Sequence, residues 1–163
     1  MRRIVLLSVL IMSGLVTAQA PTTIREYDFD LFTFDQVNAL RRASLLDRFK
    51  IYQDVTAQYA KDISNAVKMR NYAKAERLSG KLYQVLEYML EDVRLVMEDP
   101  DKRNKKELRK CEVELRKSMS RLRGAQRAVP YEHSDVFDPV LERMTYCRRL
   151  LFRFINKLDG ERP

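Results

Sequence analysis

Beyond residue 20, apolar side chains recur at steps of three and four along nearly the whole chain, and this spacing constrains the fold more than any other feature. Residues three or four apart share one face of an α-helix, whereas a strand would alternate. Glycine, a common punctuation of strands and turns, is reduced here to Gly80, Gly124 and Gly160.

Four stripes result. The first helix opens at Thr33-Phe34-Asp35-Gln36, which has the form of a capping box, and its apolar face reads Val37, Leu40, Leu45, Phe49, Tyr52, Val55, Tyr59, Ile63 and Val67. Asn71 can cap a second run through Ala75, Leu78, Leu82, Val85, Met89, Val93 and Val96, which Pro100 stops. The third, from about Asp101 to Arg127, carries Leu108, Cys111, Leu115, Ser118, Leu122, Ala125 and Val129 before Pro130. After Tyr131, Glu132 and His133, Asp138-Pro139 supplies a cap and a first-turn proline for Val140, Met144, Cys147, Leu151, Phe154 and Leu158. A one-sided helix is not stable alone, so the four must share a core. Three short connections make consecutive helices antiparallel neighbours. The expected fold is therefore all-α, an elongated up-and-down antiparallel bundle of about four helices with coiled-coil-like seams and a short extended N-terminal arm.

The domain boundaries follow. Residues 1–20 read as a cleavable signal peptide: Arg2 and Arg3 precede an apolar stretch from Ile4 to Val16, and Ala18-Gln19-Ala20 offers small residues for a protease. The stretch is shorter than the ~17 to 25 apolar residues a membrane helix needs. Cleavage after Ala18 competes with cleavage after Ala20, because Pro21 fits a protease cleft poorly. The protein is thus expected to be exported, periplasmic or secreted, and bacterial, since no Asn-x-Ser/Thr sequon occurs. Residues 21–33 form an aromatic and acidic arm, expected to lay Tyr27, Phe29 and Leu31 on the bundle and turn Asp28 and Asp30 outward. Residues 34–160 form a single helical domain.

Charge is unevenly placed. The formal net charge is +8, and loss of Arg2 and Arg3 with the leader lowers it to +6. Between 102 and 127, eleven Lys and Arg face three Glu, a local net of +8. With Leu108 and Leu115 at heptad position a, Lys102, Arg109, Arg116 and Arg123 fall at b, Arg103, Lys110 and Lys117 at c, and Lys106 and Arg127 at f. That is one helix face, opposite the core. A focused positive field attracts acidic proteins, lipid head groups or anionic polymers. Nucleic acid is not an expected partner, because an exported chain meets little of it and the basic helix interleaves no aromatics for base stacking. A homo-oligomer built by exchange of the acidic arm is a further reading.

Catalytic chemistry is not expected. His133 is the only histidine and sits in a proline-flanked loop, so neither a catalytic triad nor a two-histidine metal site can be assembled. No Cys-x-x-Cys pair or glycine-rich phosphate loop occurs, and no cofactor or metal is expected. Glu87, Glu91 and Asp92 read as solvated surface carboxylates. Cys111 and Cys147 lie on consecutive helices, and a disulfide between them and a pair of buried free thiols both stay open. Their register differs by roughly 10 Å at ~1.5 Å per residue, against the ~4.4 to 6.8 Å a disulfide spans. The expected function is an exported, non-catalytic interaction module that presents a basic helix face to an anionic partner. The alternative is a small periplasmic holdase-type helical chaperone, which requires a concave apolar patch on the surface.

Overall fold

The computed structural model describes residues 26–98 and 105–160. The leader with its two candidate cleavage sites, Pro100, Lys102 and Arg103 lie outside them. The described chain is all-α: α1 Phe34–Arg42, α2 Leu45–Lys68, α3 Tyr72–Glu98, α4 Lys105–Ala128 and α5 Asp138–Gly160, with two single 3₁₀ turns at Tyr131–His133 and Asp135–Phe137.

The expected first helix is two helices. The Thr33 capping box forms as read, with Thr33 N–H donating to Gln36 Oε1 at 2.8 Å and Gln36 N–H to Thr33 Oγ1 at 3.3 Å. The helix then breaks at Ala43, whose backbone is extended, and Ser44 caps a new start by accepting from the Asp47 N–H. Four long helices, α2 to α5, make the bundle, and α1 folds back on α2.

At the other end of α2, Arg70 takes a left-handed backbone with φ of 55°, and the Asn71 N–H reaches back to the Ala66 carbonyl at 2.9 Å. This is a Schellman-type stop. Asn71 Oδ1 then accepts from the Lys74 N–H at 3.0 Å, so the next helix starts immediately and must run antiparallel. Pairing is antiparallel for α2 with α3 and for α4 with α5. The neighbours α2 with α4 and α3 with α5 are parallel, as shown by Gln53 reaching the Glu107 carbonyl and by Tyr83 and Leu86 meeting Arg143 and Cys147. Consecutive α3 and α4 sit across the diagonal, which corrects the expectation that every consecutive pair packs side by side.

The four stripes meet in one core. Phe49, Tyr52, Ile63, Leu82, Met89, Leu108, Leu115, Leu122, Met144 and Leu151 are all fully buried. Each bundle helix touches two neighbours, so burial extends past the seam to Ala60, Leu86, Leu90, Met119, Leu141 and Ile155.

The arm is turned rather than extended where it is described. Leu31 and Phe32 N–H groups both donate to the Asp28 carbonyl, and this turn buries Tyr27, Leu31 and Phe32 while Phe29 remains exposed. An alternating strand would have buried Phe29; the turn brings Phe32 inward instead. Three side chains from α2 and α3 hold it through backbone carbonyls: Tyr59 to Leu31, Lys81 to Asp30 and Tyr88 to Glu26.

Candidate functional site

The inward face of α4 is Leu108, Cys111, Leu115, Ser118, Met119, Leu122 and Ala125, all buried against α2 and α5. That fixes the rotation of the helix about its axis. Lys106, Arg109, Lys110, Arg116, Lys117, Arg123 and Arg127 consequently all point to solvent and are exposed, as is Arg121, which falls outside the b, c and f positions.

The two halves of this face differ electrically. In the first half Lys110 pairs with Glu107 at 2.9 Å, and Glu114 forms a looser ion pair, 3.7 Å, with Lys117 at the start of the second half. Glu112 is taken by Arg148 of α5 at 2.7 Å. All three carboxylates of α4 are thus engaged and cancel field locally, and the two pairs made by the exposed Lys110 and Lys117 contribute little to stability. From Leu115 to Ala128 there are five cations and no carboxylate. Among the described residues, none of Arg116, Arg121, Arg123 and Arg127 has an acidic partner. Three concavities border the helix, one of about 510 Å³ in which Arg123 and Gln126 face Asp138, Glu142 and Arg149 of α5. A groove of about 520 Å³ toward α2 is lined by Gln53, Lys106, Arg109, Lys110, Val113, Glu114 and Lys117. A pocket of about 230 Å³ toward α5 is lined by Arg116, Met119, Ser120, Arg123, Arg127 and Arg148.

The remaining sequence candidates are dispersed. Asp92 corrects the expectation of a solvated carboxylate: it is fully buried, accepts from Tyr52 Oη at 2.7 Å and lies 3.4 Å from Arg48. Burial and the adjacent Asp92 charge push the Tyr52 hydroxyl well above its ordinary value, so it stays a neutral donor. Glu87 pairs with Arg143 at 2.8 Å, and Glu91 is exposed. His133 stacks at 4.7 Å on Tyr72, where α3 begins. No cluster of three His, Cys, Asp or Glu suited to a metal is found among the described residues.

The cysteines are free and buried, so the candidate disulfide is not formed. Both sulfurs turn toward α3: Cys111 Sγ lies 3.9 Å from Met89 Sδ, and Cys147 Sγ lies 3.8 Å from the Leu86 carbonyl oxygen. Burial pushes both thiols up, Cys147 to about 12 and Cys111 further, which leaves them protonated and poor nucleophiles.

Comparison with known protein families, with curated proteins and with solved structures finds no match. The site therefore rests on its own geometry. Arg148, the one lining arginine outside α4, carried no signal in the sequence, because its place beside α4 depends on how α5 docks.

Proposed function

We propose that the chain is an exported, non-catalytic interaction module that binds an anionic partner through the outer face of α4. One observation carries the reading: the 115–128 segment exposes five basic side chains, of which only Lys117 has a carboxylate partner, on a helix whose opposite face is fully committed to the core. Folding does not require such a face, since single surface charges change stability by only about 0.5 kcal/mol or less. It does create a directed positive field that captures anionic surfaces.

The test is binding of the full chain to polyglutamate and to anionic vesicles at low and high salt. Each basic residue near an anionic surface contributes about 1 kcal/mol. Reversing Arg109, Arg116 and Arg123 to Glu should therefore weaken binding by on the order of 100-fold or more, and added salt should weaken the wild type steeply. Binding indifferent to both changes contradicts the proposal. Export is tested separately by cell fractionation with N-terminal sequencing of the protein in each fraction. A start at Gln19 or Pro21 supports it, and an intact Met1 contradicts it.

The holdase alternative calls for a contiguous apolar concavity. The exposed large apolar side chains are instead spread over the arm (Phe29), the start of α1 (Phe34), the α2–α3 turn (Met69), the end of α3 (Leu95, Met97), the loop (Tyr131) and α5 (Tyr146, Phe152).

A further inference from the structure

The pocket between α4 and α5 concentrates the unneutralised part of the flank. Arg116, Arg123 and Arg127 come from one side of α4, and Ser120 lies between the first two. Arg127 donates from Nε to the Arg123 carbonyl at 3.2 Å, which folds its side chain back along the helix over the preceding turn. Arg148 enters from α5, oriented by the bond from its Nε to Glu112. Buried Met119 supplies apolar surface at the base. Four guanidinium groups therefore line one pocket, three of them from α4 without an acidic partner and the fourth, Arg148, paired with Glu112 at its edge. Arg123 and Arg127, four residues apart, repel each other. A bound anion would relieve that repulsion.

The geometry of the donors selects the anion. Guanidinium is a planar fork that pairs with oxyanions through two parallel N–H bonds, and several such forks approaching from two helices match an acceptor with oxygens in more than one plane. A carboxylate offers two coplanar oxygens. A phosphate monoester offers three terminal oxygens in a tetrahedral arrangement and a charge of about −1.5 to −2 at pH 7. The size agrees: about 230 Å³ lies below the ~300 to 1,000 Å³ of pockets for drug-sized ligands, and so suits a head group rather than a whole molecule.

We infer that the α4–α5 pocket is a binding site for a phosphate monoester group, whose terminal oxygens are shared by Arg116, Arg123, Arg127 and Arg148 with the Ser120 hydroxyl as an added donor. The inference rests on the reading of α4 as an anion-binding face and names the chemistry that its C-terminal half selects.

The test titrates the full chain with glycerol 3-phosphate, a monoester, and dimethyl phosphate, a diester, at equal ionic strength, following the arginine Nε–Hε signals by NMR. Losing a terminal oxygen and about one charge removes at least one charge-assisted hydrogen bond, so the monoester should bind about tenfold tighter or more. Arg123→Gln with Arg127→Gln should abolish the preference, whereas Lys61→Gln with Lys68→Gln, on the outer side of α2, should leave it. All four positions are exposed, and unchanged circular dichroism with an unchanged melting temperature confirms folding in each variant. Vesicles holding phosphatidic acid or phosphatidylglycerol at matched surface charge separate the sources. A lipid source predicts preference for phosphatidic acid, and a soluble phosphate predicts preference confined to glycerol 3-phosphate. Equal affinity for the two soluble probes, or a preference that survives Arg123→Gln with Arg127→Gln, overturns the site. Salt-sensitive polyglutamate binding that persists in that case overturns the pocket alone; its loss removes the anion-binding face as well.

Discussion

Charge is handled in opposite ways at two places in this bundle. Between α2 and α3, one carboxylate, Asp92, is fully buried, and Tyr52 and Arg48 converge on it. Along the outside of α4, five cations between 115 and 128 have no carboxylate among them. A buried charge must be compensated or the fold loses several kcal/mol, whereas an exposed one is solvated and contributes almost nothing. The Asp92 cluster is accordingly accounted for by stability. The α4 face is not, and its sequence is left for binding to explain.

Substitutions can break this contrast or sharpen it. Leu122 and Arg123 are adjacent on α4, one fully buried and one exposed. Leu122→Ala should lower unfolding free energy by about 2 to 5 kcal/mol in urea titration. Asp92→Ala should cost about 3 kcal/mol, the lower end of the range for breaking a buried pair, because Arg48 is 21% exposed and can turn to water. If Asp92→Ala proves neutral, the α2–α3 cluster is no more structural than the α4 face, and the contrast fails.

The buried thiols add a pH dependence on the structural side. Their folded values lie above the ordinary 9.0, Cys147 reaching about 12, so the folded state holds these protons more tightly than the unfolded chain. That stabilisation is fully present below pH 9 and is lost as pH rises toward 12. Replacing both cysteines by alanine should flatten this alkaline decline in thermal melts, and both thiols should resist an aromatic disulfide reagent until the protein unfolds. Thr33→Ala, which removes the cap of α1, should cost about 1 kcal/mol by the same urea titration. The smallest effect belongs to Arg123→Gln. Stability should change by a few tenths of a kcal/mol, upward if relief of the Arg127 repulsion dominates. A loss approaching that of Leu122→Ala would show the flank to be structural after all.

The parts of this architecture legible in the sequence are those set by local periodicity. Val37, Phe49, Ile63, Leu82, Met89, Leu115, Leu122 and Leu151 all fall inside as spaced, and the caps at Thr33 and Asn71 form as read. The outward placement of Arg109, Arg116 and Arg123 follows from the same period, because fixing one face of a helix fixes the other. What stayed hidden depends on contacts between distant residues. Asp92 meets partners 40 and 44 residues away, so nothing local distinguishes it from the exposed Glu91 beside it. The diagonal placement of α3 and α4 is a choice among packings that a single helix face does not encode. The break at Ala43–Ser44 was obscured because apolar residues continue across it, although the Ser44 cap three residues before Asp47 is a local signal. The turn of the arm depended on the Asp28 carbonyl receiving two N–H groups rather than on aromatic alternation.

The central claim, that anions are captured by the outer face of α4 and chiefly by its second half, is tested most directly by arginine Nε–Hε NMR of the full chain during titration with polyglutamate. The account predicts that the signals of Arg116, Arg123 and Arg127 shift together at low salt and return toward their free positions as salt is raised. Shifts concentrated on arginines away from α4, or shifts in these three that salt leaves unchanged, would contradict it.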